Sequence, residues 1–380
     1  MEFSNPNNAR KINKLRVLNA LLEESSQTRA DLSRRLVLNK ISISEIVKDL
    51  IDEGFIIEGD KTETTRDGGR PGTTLKLNSN KAFVIGLDIG TAVLRFAIAD
   101  LTGAVIRFER IPLDKKQDLA IQILESLKRL LRNNNREIVA LSIAVDGEVN
   151  NKKGMIYSAK EVIKEPYPIK AKLEEQGFKL PILLATQLEA EVKSERMFYK
   201  QPLSSFLFVN WGEYLSSAFI TKTVIVENPD FGHINVEKQG LCHCGSIGCL
   251  DLYASGWGYK MQALNKLGQV QTVKQLLTHD EGIDILKDGI QKLGKALALA
   301  LCSTGAKAII MGGAVSSLPD ECFSYLKECY SLELPHHLAT VPLYRGNEKE
   351  KGTVQGAIYL ALDKYIFSRD VLLSLNFVEY

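Results

Sequence analysis

Apolar residues recur at helical spacing three times near the start of the chain. Ile12, Leu15, Leu18 and Leu22 make the first stripe. A second, short helix is predicted from Thr28 through Leu32 to Leu36, with Thr28 as N-cap and Asp31 at the third helical position. After Val37-Leu38-Asn39-Lys40, Ser42 and Glu45 form an S-x-x-E capping pattern. Ile43, Ile46, Val47, Leu50 and Ile51 follow at i, i+3, i+4, i+7 and i+8, and Gly54 is placed to end that helix. A short β run, Phe55-Ile56-Ile57, then a polar tip from Gly59 to Gly72 and a second run around Leu75 to Leu77 predict a hairpin with a long tip. Three helices and a hairpin in this order predict a winged helix-turn-helix over residues 1–78.

Beyond Asn78-Ser79-Asn80 the period changes from helical to alternating. Phe83 to Leu87 reads as a strand leading into Asp88-Ile89-Gly90-Thr91; Leu94 to Ala99 and Ala104 to Phe108 read as two more. The pattern returns later as Phe206 to Val209, Leu215 to Thr221 and Val224 to Val226, with Trp211-Gly212 at the first turn. Two β-loop-β-β units predict an α/β body of two duplicated lobes with a cleft between them. The boundaries expected are a small lobe over 79–184, a large lobe over 185–362 and a tail over 363–380. Tyr365, Ile366, Phe367, Val371, Leu372, Leu375 and Phe377 make that tail apolar enough to pack on the small lobe or on a dimer partner.

With the α-helical stripe inward, the third helix of the head turns Ser44, Glu45, Lys48 and Asp49 outward. Ser42, Ser44 and Lys48 suit bases or phosphates, and Arg29, Arg34, Arg35 and Lys40 suit phosphates around them. Arg70, in Gly69-Arg70-Pro71 of the wing tip, suits a narrow minor groove. The acidic Asp49, Asp52 and Glu53 leave a second reading open, a protein-interaction module.

Composition restricts the rest. The chain has 380 residues, 48 Lys plus Arg, 46 Asp plus Glu and a net charge of +2, so any nucleic-acid binding must be local rather than global. No stretch is long and apolar enough to span a bilayer, and the first residues lack a signal peptide's apolar core, so membrane insertion is not expected and a cytoplasmic location is. Reduced thiols are expected there. His233, Cys242, Cys244 and Cys249, spaced H-x8-C-x-C-x4-C, then read as a closed four-ligand structural zinc site, Zn2+ rather than disulfide. His243 is the competing imidazole, and buried free cysteines are the alternative.

The head, Asp88-Ile89-Gly90-Thr91, Phe231-Gly232-His233, the run from Cys242 to Asp251 and Ile309-Ile310-Met311-Gly312-Gly313 together resemble the ROK family of sugar kinases and repressors. The resemblance implies a two-lobed actin-like (ribonuclease-H-like) sugar-kinase body, zinc on the larger lobe, and a homodimer or homotetramer. The head places the chain among the repressors, such as those for N-acetylglucosamine and xylose. The expected function is a DNA-binding transcriptional regulator of carbohydrate-related genes, with double-stranded operator DNA as partner. The alternative is a bifunctional sugar kinase.

Against the family pattern, Asp88, Gly90 and Thr91 of the first phosphate loop remain, but other kinase residues are missing. Ala92 stands where the first phosphate loop has Thr. Gly212-Glu213-Tyr214-Leu215-Ser216-Ser217-Ala218 stands where the second loop is rich in glycine, and the Asn-Asp pair carrying the catalytic base falls on Thr186 and Gln187. No catalytic residue is expected, although Glu189 and Glu191 lie close by. Of the sugar-binding set His233 is kept, the two glutamates become Asp230 and Asp251, and Pro-Gly becomes Asp146-Gly147. Asp146, Gln187, Asp230, His233 and Asp251 are the expected ligand-binding residues for a carbohydrate-type effector. Two further readings stay open: no small molecule binds, or Asp230 and Asp251 only orient the metal-binding loop.

Overall fold

In a computed structural model, residues 6–61, 72–132, 135–160, 162–198, 205–221, 224–338, 340–346 and 352–368 are described. The chain divides into two compact units. The first holds residues 1–193 and 353–380, the second 194–352.

The head opens with α1 (Pro6–Glu23), whose Leu15, Val17, Leu18, Ala20 and Leu21 are buried. A two-residue strand, β1 (Gln27–Thr28), leads into α2 (Arg29–Leu36), capped by the expected box: the Thr28 hydroxyl accepts from Asp31 N–H, and Asp31 accepts from Thr28 N–H. The cap of α3 (Lys40–Asp52) departs from expectation. Asn39, not Ser42, is the N-cap, its side-chain oxygen accepting from Ser42 N–H at 2.7 Å. Asn reaches the same orphan amide as Ser and starts the helix earlier, so Ser42 lies inside the first turn. Gly54 follows with φ +78, as expected of a helix stop. β2 (Ile56–Lys61) and β3 (Thr73–Leu77) form the antiparallel hairpin, in sheet order β1-β3-β2. The wing tip with Arg70 lies outside the described residues.

The rest of the first unit is a five-stranded sheet, ordered β10-β7-β4-β5-β6. β4 (Phe83–Ile89), β5 (Val93–Asp100) and β6 (Val105–Pro112) make the antiparallel meander. α4 (Leu119–Leu130), β7 (Ile138–Val145), the short pair β8 (Val149–Asn150) and β9 (Met155–Ile156), α5 (Ile169–Glu175) and β10 (Ile182–Thr186) add parallel strands and their cover. α6 (Gln187–Phe198) follows directly. β4 is buried along its whole length because both faces are covered. Ile85, Leu87 and Ile89 meet Ile123 and Leu127 of α4 in one cluster.

On the other face, Val84 and Ala97 join a cluster that also contains Leu18, Leu32, Ile43, Val47 and Leu50 of the head. Ile358, Leu362, Ile366 and Phe367 from the chain's end complete it. The head therefore has no separate core. Of the tail, Ile366 and Phe367 are buried there, while Val371, Leu372, Leu375 and Phe377 lie outside the described residues.

The second unit repeats the plan. β11 (Ser205–Trp211), β12 (Leu215–Thr221) and β13 (Ile225–Asn228) form the antiparallel meander. α7 (Asp251–Ala254), α8 (Gly256–Leu267), α9 (Val273–Leu276) and the long α10 (Asp280–Thr304) precede β14 (Ile309–Gly312), and α11 (Asp320–Leu332) precedes β15 (Leu343–Arg345). The order β13-β12-β11-β14-β15, with β14 parallel to both β11 and β15, matches the first sheet strand for strand. α12 (Gly352–Tyr365) belongs with the first unit: a side chain at Gly86 of β4 would meet the Val354 carbonyl at 2.6 Å. α6 starts there too, with Ala190 against Ala144 and Ala357, which carries the first unit's boundary past the expected residue 184.

Candidate nucleic-acid interface and metal centre

The exposed side of α3 carries Lys40, Ile41, Ser44, Glu45, Lys48 and Asp52. Ser44 Oγ donates to the Lys40 carbonyl at 2.9 Å, and Ser42 is half-buried. Asp49, expected to face outward, instead meets Arg10 and Lys14 of α1, each at 2.9 Å. The cations around α3 differ in their commitments. Arg34 pairs with Asp31 at 2.6 Å but keeps 79% exposure; Arg29 pairs with Glu58 at 2.8 Å. Arg35 turns to α1, pairing with Glu23 and Glu24 and donating to the Ala20 carbonyl. Two residues overlooked in the sequence stand out. Val37 and Ile41 are 88% and 74% exposed, beside the start of α3. The available signal was that Ile41 falls off the apolar stripe.

In the first unit, Asp88, next to the last residue of β4, is only 2% exposed. One oxygen lies 2.8 Å from Arg95 Nη1 on the neighbouring strand; the other accepts from Gln187 Nε2 at 2.6 Å. Burial pushes the Asp88 carboxyl above the usual range despite the Arg95 charge and the Gln187 bond. The loop after Asp88 is roofed by the same guanidinium, since a side chain at Gly90 would meet Arg95 Nη1 at 2.9 Å. Arg95 Nε is buried without a hydrogen-bond partner. Gln187 opens α6 immediately after β10, the place expected for the family's base. Glu191 is buried and accepts from the Thr353 hydroxyl. Asp146 is paired with Lys160 at 3.1 Å, with both side chains solvent-accessible.

In the second unit, the β11–β12 loop turns onto the start of α8. Gly212 and Glu213 carbonyls accept from the Gly256 and Trp257 amides, both at 2.9 Å. Ser255 Oγ accepts from Gly258 N–H, so the amides of this first turn, which could otherwise hold an anion, are occupied. Glu213 is held by Lys260 at 2.6 Å, and Tyr214 lies against His243 and Trp257, with ring centroids 4.9 and 6.3 Å away.

The Cys-His cluster is built on tight turns. A 3-10 turn, Phe231–His233, delivers His233. Gly248 adopts φ +75, and a side chain there would collide with the Glu237 carbonyl at 1.7 Å. One ligand atom from each of His233, Cys242, Cys244 and Cys249 lies within 4.8 Å of the others, with Cys244 and Cys249 sulfurs 3.6 Å apart. Burial raises the Cys242 thiol. Burial and the neighbouring sulfurs push Cys249 up to about 12, while hydrogen bonding from Ser246 lowers Cys244. Three such thiols share one site as thiolates only beside a cation.

His243 turns the other way, Nε2 lying 3.1 Å from Asp251 Oδ2. Asp251 is 2% exposed and its other oxygen accepts from Leu215 N–H at 2.8 Å, so both oxygens are engaged within the fold. Asp230 is exposed at the start of the 3-10 turn. His233, His243 and Asp251 also converge within 4.8 Å.

Known protein families match the head and the body separately. The ROK family profile matches residues 84–364, and a profile described as winged helix-turn-helix DNA-binding matches residues 10–57. The xylose repressor of Caldicellulosiruptor bescii is 26% identical over 259 residues, covering 65% of this chain; the chain spans 64% of that relative's length. The DNA-binding transcriptional dual regulator NagC of Escherichia coli strain K12 is 22% identical over 362 residues, 87% of each chain. Among solved structures, a ROK family transcriptional regulator homologous to the E. coli MLC protein superposes with a TM-score of 0.78 at 20% identity, over 97% of this chain and 98% of the other. A ROK family glucokinase from Streptomyces griseus, with glucose and AMPPNP, gives 0.60 at 20% identity over 73% of this chain and 98% of that one. These structures share the fold. Among the described residues, no helix is long and apolar enough to cross a membrane.

Proposed function

The chain belongs to the ROK family, and we propose that it is a DNA-binding transcriptional repressor whose kinase-like body senses a carbohydrate-type effector without phosphorylating it. One observation supports the loss of catalysis: Gln187, which falls where the family resemblance puts the general base, is already hydrogen bonded to Asp88. An amide does not take up a proton usefully, and loss of a general base alone costs about 10²–10⁴ in rate. The occupied amides at the start of α8 support the same reading.

DNA binding rests on the winged helix-turn-helix head, with Lys40, Ser44, Lys48 and Arg34 proposed to face the duplex and Arg70 proposed to act from the segment between β2 and β3. Arg29 and Ser42 are less available, and Arg35 is spent on α1. For the effector, Asp146 and Gln187 in the first unit and Asp230, His233 and Asp251 in the second are the proposed hydroxyl-binding groups. The unpartnered Arg95 Nε adds a donor to the first set. The metal is proposed to be structural Zn2+ held by His233, Cys242, Cys244 and Cys249. Tetrahedral Zn–S bonds of about 2.3 Å place sulfurs about 3.8 Å apart, near the 3.6 Å between Cys244 and Cys249. Cytoplasmic homodimers or homotetramers binding paired half-sites complete the reading.

The test is binding of the full chain to DNA upstream of its own gene, against random duplex at several salt concentrations, titrated with neutral and phosphorylated sugars. Salt-sensitive selectivity altered by one sugar is expected. No selectivity refutes the regulator. ATP turnover above background with any hexose refutes the loss of catalysis.

A further inference from the structure

Among the described residues only Ser26 and Val37 are non-glycine with positive φ, and Val37, at φ +54 and ψ +48, is the β-branched one. Left-handed backbone is an outlier for such a residue and carries strain. The turn is held in that state from both sides. The Ser33 carbonyl accepts from the amides of Val37 and Leu38, and Ser33 Oγ donates to the Leu38 carbonyl at 2.6 Å. The strained side chain contributes almost nothing to the core, being 88% exposed. Four residues on, Ile41 is 74% exposed in the first turn of α3, on the side that continues through Ser44 to Lys48. Single exposed aliphatics are ordinary. Two beside one strained turn, among Arg34, Lys40 and Lys48, need a different account.

We infer that Val37 and Ile41 are base-reading residues that recognise the C5-methyl groups of thymines in the major groove. This rests on the proposed DNA binding and deepens it. The cations attract phosphate and fix position without sequence, whereas an aliphatic side chain at the start of a recognition helix gains only where a methyl group meets it. The α3 side chains so far credited with reading bases, Ser42, Ser44 and Lys48, are hydrogen-bond formers and do not sense that methyl. Covering one methyl-sized group is worth about 0.8 kcal/mol, about a fourfold change in affinity.

The experiment uses the full chain and a duplex selected by it from a random pool. Thymines are replaced one at a time by uracil, which removes only the methyl. One or two thymines per half-site are expected to lose about fourfold each on replacement. In Ile41→Ala the loss at one of these positions should vanish, the variant binding thymine and uracil duplexes alike. Val37→Gly should do the same at a neighbouring position while raising the melting temperature, because glycine relieves the backbone. Wild-type affinity indifferent to uracil at every position, or unchanged uracil sensitivity in both variants, overturns the inference and leaves DNA binding standing. Failure to enrich any sequence from the pool overturns both.

Discussion

The two sheets of the body have one topology and opposite ways of holding their first loop. In the first, the loop after β4 is fixed by side-chain charge: Asp88, Arg95 and Gln187 form a buried network. In the second, the loop after β11 is fixed by backbone hydrogen bonds to α8, and the segment following β13 carries the Cys-His cluster that could hold a metal. Duplicated strands thus did not bring duplicated stabilisation. A buried ionic network is sensitive to any change of charge and to pH. A turn-rich segment closed on a metal is sensitive to chelation. The two halves should therefore fail under different treatments.

The largest expected effect is in the second half. Metal binding at structural Cys-His sites is worth on the order of 10 kcal/mol. Cys249→Ser, or a strong chelator applied to the wild type, should release the proposed zinc and raise amide exchange across residues 234–250 and α7, while β4 and β7 keep their protection. Equal loss of protection in both sheets would erase the contrast.

Next is Gln187→Asp, which sets a second carboxylate against Asp88. Breaking a buried charge network in this way costs about 3–5 kcal/mol near neutrality. The Asp88 carboxyl is already raised by burial, so its contribution to stability is full below the unfolded pKa and fades as pH rises through the folded one. The variant adds a second group of the same kind. Its deficit relative to wild type in urea should be larger at pH 7.5 than at pH 5, where a shared proton restores a hydrogen bond. Phosphoryl transfer should stay at background. A pH-independent deficit would mean that the network is not ionic.

These contrasts were unevenly legible in the sequence. The strands were, because β4, β5, β11 and β12 are apolar runs ending in turn residues, and so was Gln187, because it follows a strand and opens a helix. Arg95 was not. It reaches Asp88 only because the antiparallel register sets the two residues opposite each other, which no local pattern reveals. Nor was the commitment of Asp251, whose partners Leu215 and His243 are brought in from a strand and from the cysteine loop. In the head, helices and cap of α2 were legible, while Asn39 displaced Ser42 because both suit an N-cap and the pattern alone does not rank them. The exposure of Val37 depends on a left-handed backbone that a valine gives no reason to expect.

A smaller effect tests how α8 is held. Ser255→Ala removes the oxygen that accepts from Gly258 N–H, and loss of such a cap costs about 1 kcal/mol. Thermal denaturation should show that loss with the metal retained, and a larger deficit would tie the cap to the metal loop.

The smallest expected change is the most informative about the loop. Replacing Glu213 by glycine, with Tyr214 and its ring contacts left in place, moves the loop toward the composition a phosphate loop would have. Glu213 is half exposed and its pair with Lys260 is worth about 0–1 kcal/mol. The Gly212 and Glu213 carbonyls would still occupy the Gly256 and Trp257 amides, because those bonds are made by backbone. Stability should move by about 1 kcal/mol or less, and calorimetry with ATP should show no binding. If ATP did bind, side chains alone had kept it out, and the two halves would differ in their loop residues rather than in how the backbone is held.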